Sequence, residues 1–159
     1  MNIKKSLIRN SVQATLALSA ALARRERLHV ATHALMTGMA RLTIHMKGIR
    51  PADSLPELGR QWQRGFPSAK QVPITEVTDN TVYAEIHTPC PLRGSGDVHA
   101  CYRMMQYDRE VLRQAGGQFV VLSSQAEAGN RICKVAMRRA GEDVSDLLPA
   151  HQRAAQPSV

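Results

Sequence analysis

Aromatic residues are scarce: phenylalanine, tyrosine and tryptophan make up 4% of the 159 residues, and Trp62 is the one tryptophan. That scarcity argues against a base-stacking platform such as single-strand-binding and ribonucleoprotein folds present. Trp62 reads instead as an anchor that packs a short helix on the domain. The core is left to Leu, Val, Ile, Ala and seven methionines, a soft lining that suits a cavity at least as well as a tightly packed interior. Apolar runs long enough to span a membrane are missing. Three cysteines, an odd number, exclude a purely disulfide-built scaffold and favour a reducing compartment, the cytoplasm. Internal repeats and low-complexity linkers are also lacking, and the length is that of one domain.

Positive charge is plentiful, at +8 with an isoelectric point near 10. Clustered basic residues would draw nucleic acid by releasing counterions, but the arginines are scattered and no helix-turn-helix or zinc-finger pattern is present. Nucleic acid is therefore not the expected partner, and a basic chain attracts carboxylate-bearing metabolites equally well. Lys4, Lys5 and Arg9 precede the apolar stretch VQATLALSAALA, an arrangement shared with secretory signals. An alanine-rich amphipathic helix explains the same stretch, so secretion is the minority reading beside a cytoplasmic one.

In chain order, Ile3, Leu7, Val12, Leu16 and Leu22 track a helical face to about Ala23, with a break near Arg24-Arg25-Glu26-Arg27. Leu28, Thr32, Leu35, Met39, Leu42 and Met46 then mark one side of a helix ending at Lys47-Gly48. His29 and His33 have the i, i+4 spacing of metal ligands but lack the glutamate of a metalloprotease motif, so two partly exposed histidines is the preferred reading. Ser54 caps a short helix from about Leu55 to Arg64. The period then falls to two. Gln71–Thr78 and Thr81–Thr88 read as strands joined by Asp79-Asn80, a pair that tolerates the positive φ of a tight hairpin. A helix from about Asp97 to Ala115 follows, stopped at Gly116-Gly117, and then a second strand pair, Gln118–Gln125 and Arg131–Arg139. The expectation is a single α+β domain over residues 1–148: a helical half, 1–66, packed on an antiparallel sheet of two hairpins flanking a central helix, ββαββ, over 70–139. Residues 149–159 are expected to form a flexible tail.

The chemistry concentrates in HTPCPLRGSGDVHAC, from His87 to Cys101, which holds two of the three cysteines and two of the six histidines. Pro89 and Pro91 bracket Cys90, Gly94 and Gly96 loosen the backbone, and Asp97 is placed to cap the next helix. Cys101 shares a helix face with Val98 and Met105, and Cys133 shares a strand face with Val135 and Met137. If the strand pairs flank the central helix, all three sulfurs approach one internal hollow. Three readings stay open. Cys90 is a nucleophile whose thiolate is favoured by the helix N-terminus, with His87 or His99 exchanging its proton. Alternatively Cys90, Cys101 and Cys133 with a histidine bind zinc or another divalent metal, although the gap from Cys90 to Cys101 is not that of a zinc knuckle. Or the cysteines are simply small buried hydrophobes. Of the nearby acids, Asp97 and Glu85 flank the loop and Asp108 lies on the helix; either aspartate could orient a histidine or a water. Arg93 and Arg103 offer bidentate forks for a substrate carboxylate.

Cys90-Pro91 after a strand, Cys101 in the next helix, Asp108 one to two turns on, and a closing hairpin with Gly129 before Cys133 form a recognisable set. On these features the run from Cys90 to Met137 resembles the 4-vinyl-reductase-like domains and the related L-2-amino-thiazoline-4-carboxylate hydrolases. The resemblance implies a bacterial-type, often homodimeric α+β protein with an internal small-molecule pocket. Its hydrolase branch implies opening of a thiazoline ring by water, with no required cofactor and all three cysteines near the pocket. Its binding branch implies a module that holds an apolar or tetrapyrrole-like ligand and does no chemistry. The expected function is hydrolysis of a small carboxylated, cyclic amino acid-like substrate: Cys90, His87, His99 and Asp97 catalytic, Arg93, Arg103, Cys101, Asp108 and Cys133 holding the substrate. The binding module is the alternative.

Overall fold

The computed structural model describes residues 14–153. Residues 1–13, which carry the basic start of the signal-like stretch, and the last six residues of the expected tail lie outside that range. The fold is α+β. Helix α1, residues 14–23, breaks at the arginine run into a 3-10 turn, Glu26–Leu28, before α2, His29–Lys47. Gly48, at φ 60°, ends α2: its own N–H returns to His45 and that of Ile49 to the Ile44 carbonyl at 3.1 Å. Helix α3, Leu55–Gln63, starts on Ser54, whose side chain accepts from Glu57 N at 3.3 Å. Strands β1, Ile74–Val77, and β2, Val82–Ile86, precede α4, Val98–Met104, and α5, Gln106–Gln114. Strands β3, Gly117–Ser123, and β4, Cys133–Arg139, then lead to a terminal turn of helix, α6, Ala150–Arg153.

The four strands form one antiparallel sheet in the order β1-β2-β4-β3, so the two hairpins meet edge to edge through β2 and β4. Alternation then puts Val82, Ala84 and Ile86 on the same buried face as Cys133, Val135 and Met137. Helix α3 presses closely on this face because Gly59 and Gly117 have no side chains. A Cβ at Gly59 would lie 2.8 Å from Ile74 Cδ1, and one at Gly117 only 2.9 Å from the Arg138 carbonyl. Helix α5 lies beside α3, and α2 covers α5, pinned by Arg41 Nε on Glu110 Oε1 at 3.2 Å. Many arginines are spent in this way. Arg138 bonds Asp146, Thr81 and the Asp143 carbonyl, and Arg153 bonds Glu127. Part of the basic charge is thus internal wiring rather than a phosphate-facing surface. No helix among the described residues is long and apolar enough to cross a membrane.

Several boundaries depart from the sequence expectation for identifiable reasons. The inward side of α2 is Thr32, Met36 and Ala40, whereas Leu42 and Met46, expected inside, are exposed. Both stripes repeat at helical spacing, and only packing chooses between them. The first strand is shorter than expected because Pro73 has no N–H and Val72 gives its own to Ala69. The Asp79-Asn80 turn needs no positive φ, since every described residue with one is glycine; Thr78 and Thr81 close it through Thr81 N on Thr78 Oγ1 at 3.1 Å. The central helix breaks at Met105, which lets α4 and α5 bury different faces. Residues 150–153, expected in a loose tail, are helical, with Ala150 in the core and Arg153 bonded to the Leu122 carbonyl.

Candidate functional site

The break at Met105 sits where two apolar clusters meet. The larger fills the space between sheet and helices around Trp62, Val82, Val111, Val135 and Met137. A smaller one joins Ala20 and Ala23 of α1 to Leu92, Val98, Cys101 and Ala126. Met105 packs against both. Along this seam opens a cavity of about 540 Å³. Its wall takes Met36 and Met39 from α2, Met104 and Met105 from the helix break, Phe66 from the turn after α3, and Ile86 from β2. Four flexible thioethers make a lining that adapts to irregular apolar shapes.

Cys90, Cys101 and Cys133 all line this cavity, as the expected convergence requires, and all are free thiols. Two of the sulfurs accept backbone N–H groups: Cys90 from Leu92 at 3.4 Å, Cys133 from Gln125 at 3.3 Å. The third, Cys101, neighbours Cys133. The Cys133 side chain and burial both hold the Cys101 proton on, while the Cys101 side chain and the Gln125 N–H pull the Cys133 thiol below its ordinary value. Cys90 behaves otherwise than expected. Burial pushes its thiol up, the Leu92 N–H offsetting only part of this.

Asp108 also reaches the cavity wall, on the first turn of α5. It is buried, accepts from Trp62 Nε1 at 2.9 Å, and burial pushes its carboxyl up to about 6 despite that donor. Thr88 lines the same cavity, and its Oγ1 is buried with no hydrogen-bond partner. An orphaned hydroxyl of this kind costs about 1–3 kcal/mol unless something in the cavity completes it.

The remaining expected site residues lie elsewhere. His87 is exposed, with Nε2 2.7 Å from Glu85 Oε2. His99 is also exposed and packs on His151 at 6.3 Å between ring centroids, beside Tyr102. Neither belongs to the cavity wall. Asp97 is the cap of α4, accepting from Ala100 N at 2.8 Å. Arg93 directs Nε and a terminal nitrogen to Gln125 Oε1, at 3.0 and 2.7 Å, and Arg103 bonds the Ala23 carbonyl at 2.6 Å. Arg93 is thus engaged by Gln125, Arg103 is tied to α1 through Nε, and neither arginine lines the cavity. Zinc held by three cysteines and a histidine also meets no matching arrangement: no histidine lines the cavity, and no set of three or more His, Cys, Asp or Glu among the described residues is arranged to hold one ion.

Gln125 is the site residue that sequence reasoning missed. Its Oε1 accepts from Cys90 N at 3.1 Å and from Arg93, while its Nε2 donates to the Ile86 and Thr88 carbonyls. One buried amide thereby fixes the proline-flanked loop over the cavity, and a glutamine after a strand carries no pattern that announces this. A smaller cleft of about 180 Å³ is also bordered by Cys101, with Tyr102, Arg109 and His151 in its wall. Comparison with protein-family models, curated proteins and solved structures finds no match for this chain.

Proposed function

We propose that this protein binds an apolar small molecule in the cavity at the helix break, with one polar end of the ligand meeting Thr88. The observation that carries the reading is the orphaned Thr88 Oγ1 in the wall of a cavity whose lining includes four methionines, Phe66 and Ile86. A mainly apolar pocket of this size with a few converging polar groups is the usual form of a small-molecule site. Among the described residues no arginine or lysine lines the wall, which supports a neutral ligand over a carboxylate. The test uses the neutral fluorophore N-phenyl-1-naphthylamine. We expect one saturable site with micromolar affinity, near −8 kcal/mol. Met39→Trp, which fills the wall from a partly exposed position, is expected to weaken it about tenfold or more with the fold retained by circular dichroism. Unsaturable binding, or binding indifferent to that substitution, would remove the proposal.

A second reading rests on Cys90, the most accessible of the three thiols, standing at the same wall. It keeps the thiazoline-carboxylate type of hydrolysis, with Cys90 as nucleophile and the carboxyl of Asp108, rather than either histidine, as the proton-transfer group. Cys90→Ser is then expected to lower turnover of a 2-amino-thiazoline carboxylate about a thousandfold or more while leaving fluorophore binding within about twofold. Retained turnover excludes the nucleophile.

A further inference from the structure

The smaller cleft differs from the large cavity in its chemistry. Phe119, Val121 and Pro149 give it an apolar wall, Arg109 and His151 bring basic groups to it, and among the described residues no aspartate or glutamate lines it. Tyr102 organises the basic side. The Arg109 guanidinium carbon stands 4.1 Å over its ring centre, and the His151 ring, carried in by α6, has its centroid 4.1 Å from the same point at a tilt of 37°. Two hydrogen bonds fix Arg109 there: Nε donates to Gln106 Oε1 at 3.1 Å, and Nη2 to the Tyr102 carbonyl at 2.7 Å. Nη1 has no hydrogen-bond partner among the described residues. Arg41, Arg113, Arg138 and Arg153 each meet a carboxylate, but Arg109 does not, and the neighbouring Asp108 turns its carboxylate to Trp62. A half-buried guanidinium is thus held rigidly at a cleft with donors to spare and no counter-charge, an arrangement whose desolvation cost an anion would offset.

We propose that this cleft binds a small aromatic monocarboxylate, with the carboxylate on Arg109 and the ring against Phe119 and Val121. Nη1 keeps both of its N–H groups and Nη2 keeps one, so the end of the guanidinium fork can serve both oxygens of a planar carboxylate at once. The neutral His151 ring adds one further N–H donor. Size restricts the rest of the ligand: about 180 Å³ is below the roughly 300–1,000 Å³ of pockets that take drug-sized molecules, which leaves room for a single ring. The apolar wall decides between carboxylate and phosphate. A carboxylate directs its charge to one end and leaves an uncharged ring for Phe119 and Val121, whereas a phosphate carries oxygens on all sides and would press some of them against those side chains. The site is distinct from the neutral-ligand cavity, although Cys101 borders both, and it does not rest on that reading.

The test titrates the isotope-labelled full-length chain with sodium benzoate at constant ionic strength and follows its backbone amide resonances. One saturable set of shifts is expected, centred on Val121, Ala150, His151 and Gln152, with a Kd of about 1 mM or tighter. Methyl benzoate keeps the ring and loses the charge, and inorganic phosphate keeps the charge and loses the ring. Each is expected to bind at least about tenfold more weakly than benzoate. Arg109→Gln should weaken benzoate about tenfold or more with circular dichroism unchanged. Shifts that do not saturate, methyl benzoate or phosphate binding as tightly as benzoate, or shifts centred instead on Met39 and Met104 of the large cavity would each overturn the proposal. The three-ligand comparison is made on the wild type, so a variant that fails to fold leaves the proposal open to refutation all the same.

Discussion

Trp62→Ala is expected to lower the free energy of unfolding by about 4–5 kcal/mol, a large share of the roughly 5–15 kcal/mol that holds a domain of this kind together. The indole is fully buried, edge-on to Phe66 at 5.0 Å and tilted against Phe119 at 6.0 Å between ring centroids. Truncation leaves a hole that α3, held close to the sheet at Gly59 and Gly117, is poorly able to collapse. It also strips Asp108 of its Nε1 donor. Urea unfolding followed by far-ultraviolet circular dichroism measures the loss, tryptophan fluorescence being unsuitable when the only tryptophan is the one removed. Trp62→Phe separates the two contributions, because it keeps most of the ring packing and removes the donor. Its cost should be smaller, about 1–3 kcal/mol, and should shrink in an Asp108→Asn background where no carboxylate is left unpaired. A change below about 1 kcal/mol for Trp62→Ala would contradict the anchoring role.

Trp62 also shows how far the sequence could be read. An isolated tryptophan in a short helix is legible as an anchor, because burying so large a side chain is its commonest use. Its partner was not legible: Asp108 lies 46 positions away, and nothing in the local pattern distinguishes a carboxylate that meets an indole from one that pairs with a neighbouring arginine. The same division runs through the fold. Alternation identified β2 and β4, and the change of period from 3.6 to two located the passage from helices to sheet. On α2 periodicity gave two eligible stripes, and the choice of Met36 over Leu42 was made by α5, which is remote in sequence. The site divides likewise. Cysteines at alternating or helical positions point inward, so their convergence on one cavity could be anticipated from Cys101 and Cys133. The duties of Arg93, Arg103 and Asp97 depend on which backbone groups happen to lie in reach. That is fixed only when loop 90–97 closes on Gln125 and Ala126, whose carbonyls take the Gly94 and Gly96 N–H groups.

Asp108→Asn is expected to stabilise the protein above neutrality and to do so less and less as the pH is lowered. Burial holds the folded-state carboxyl near 6, against an ordinary value of 3.8. Between those values the folded chain keeps a proton that the unfolded chain has released, so stability falls as pH rises through this window. The contribution of the protonated form is full below the unfolded value and gone above about pH 6, a swing of about 3 kcal/mol. Asparagine cannot ionise, yet its Oδ1 still accepts the Trp62 N–H. The variant's urea midpoint should therefore gain on that of the wild type by an amount that grows between about pH 4 and 7 and then levels. Parallel profiles would show that the carboxyl is not desolvated as described. Asp108 stands at the cavity wall, so fluorophore binding in the wild type, but not in Asp108→Asn, should change across the same pH interval.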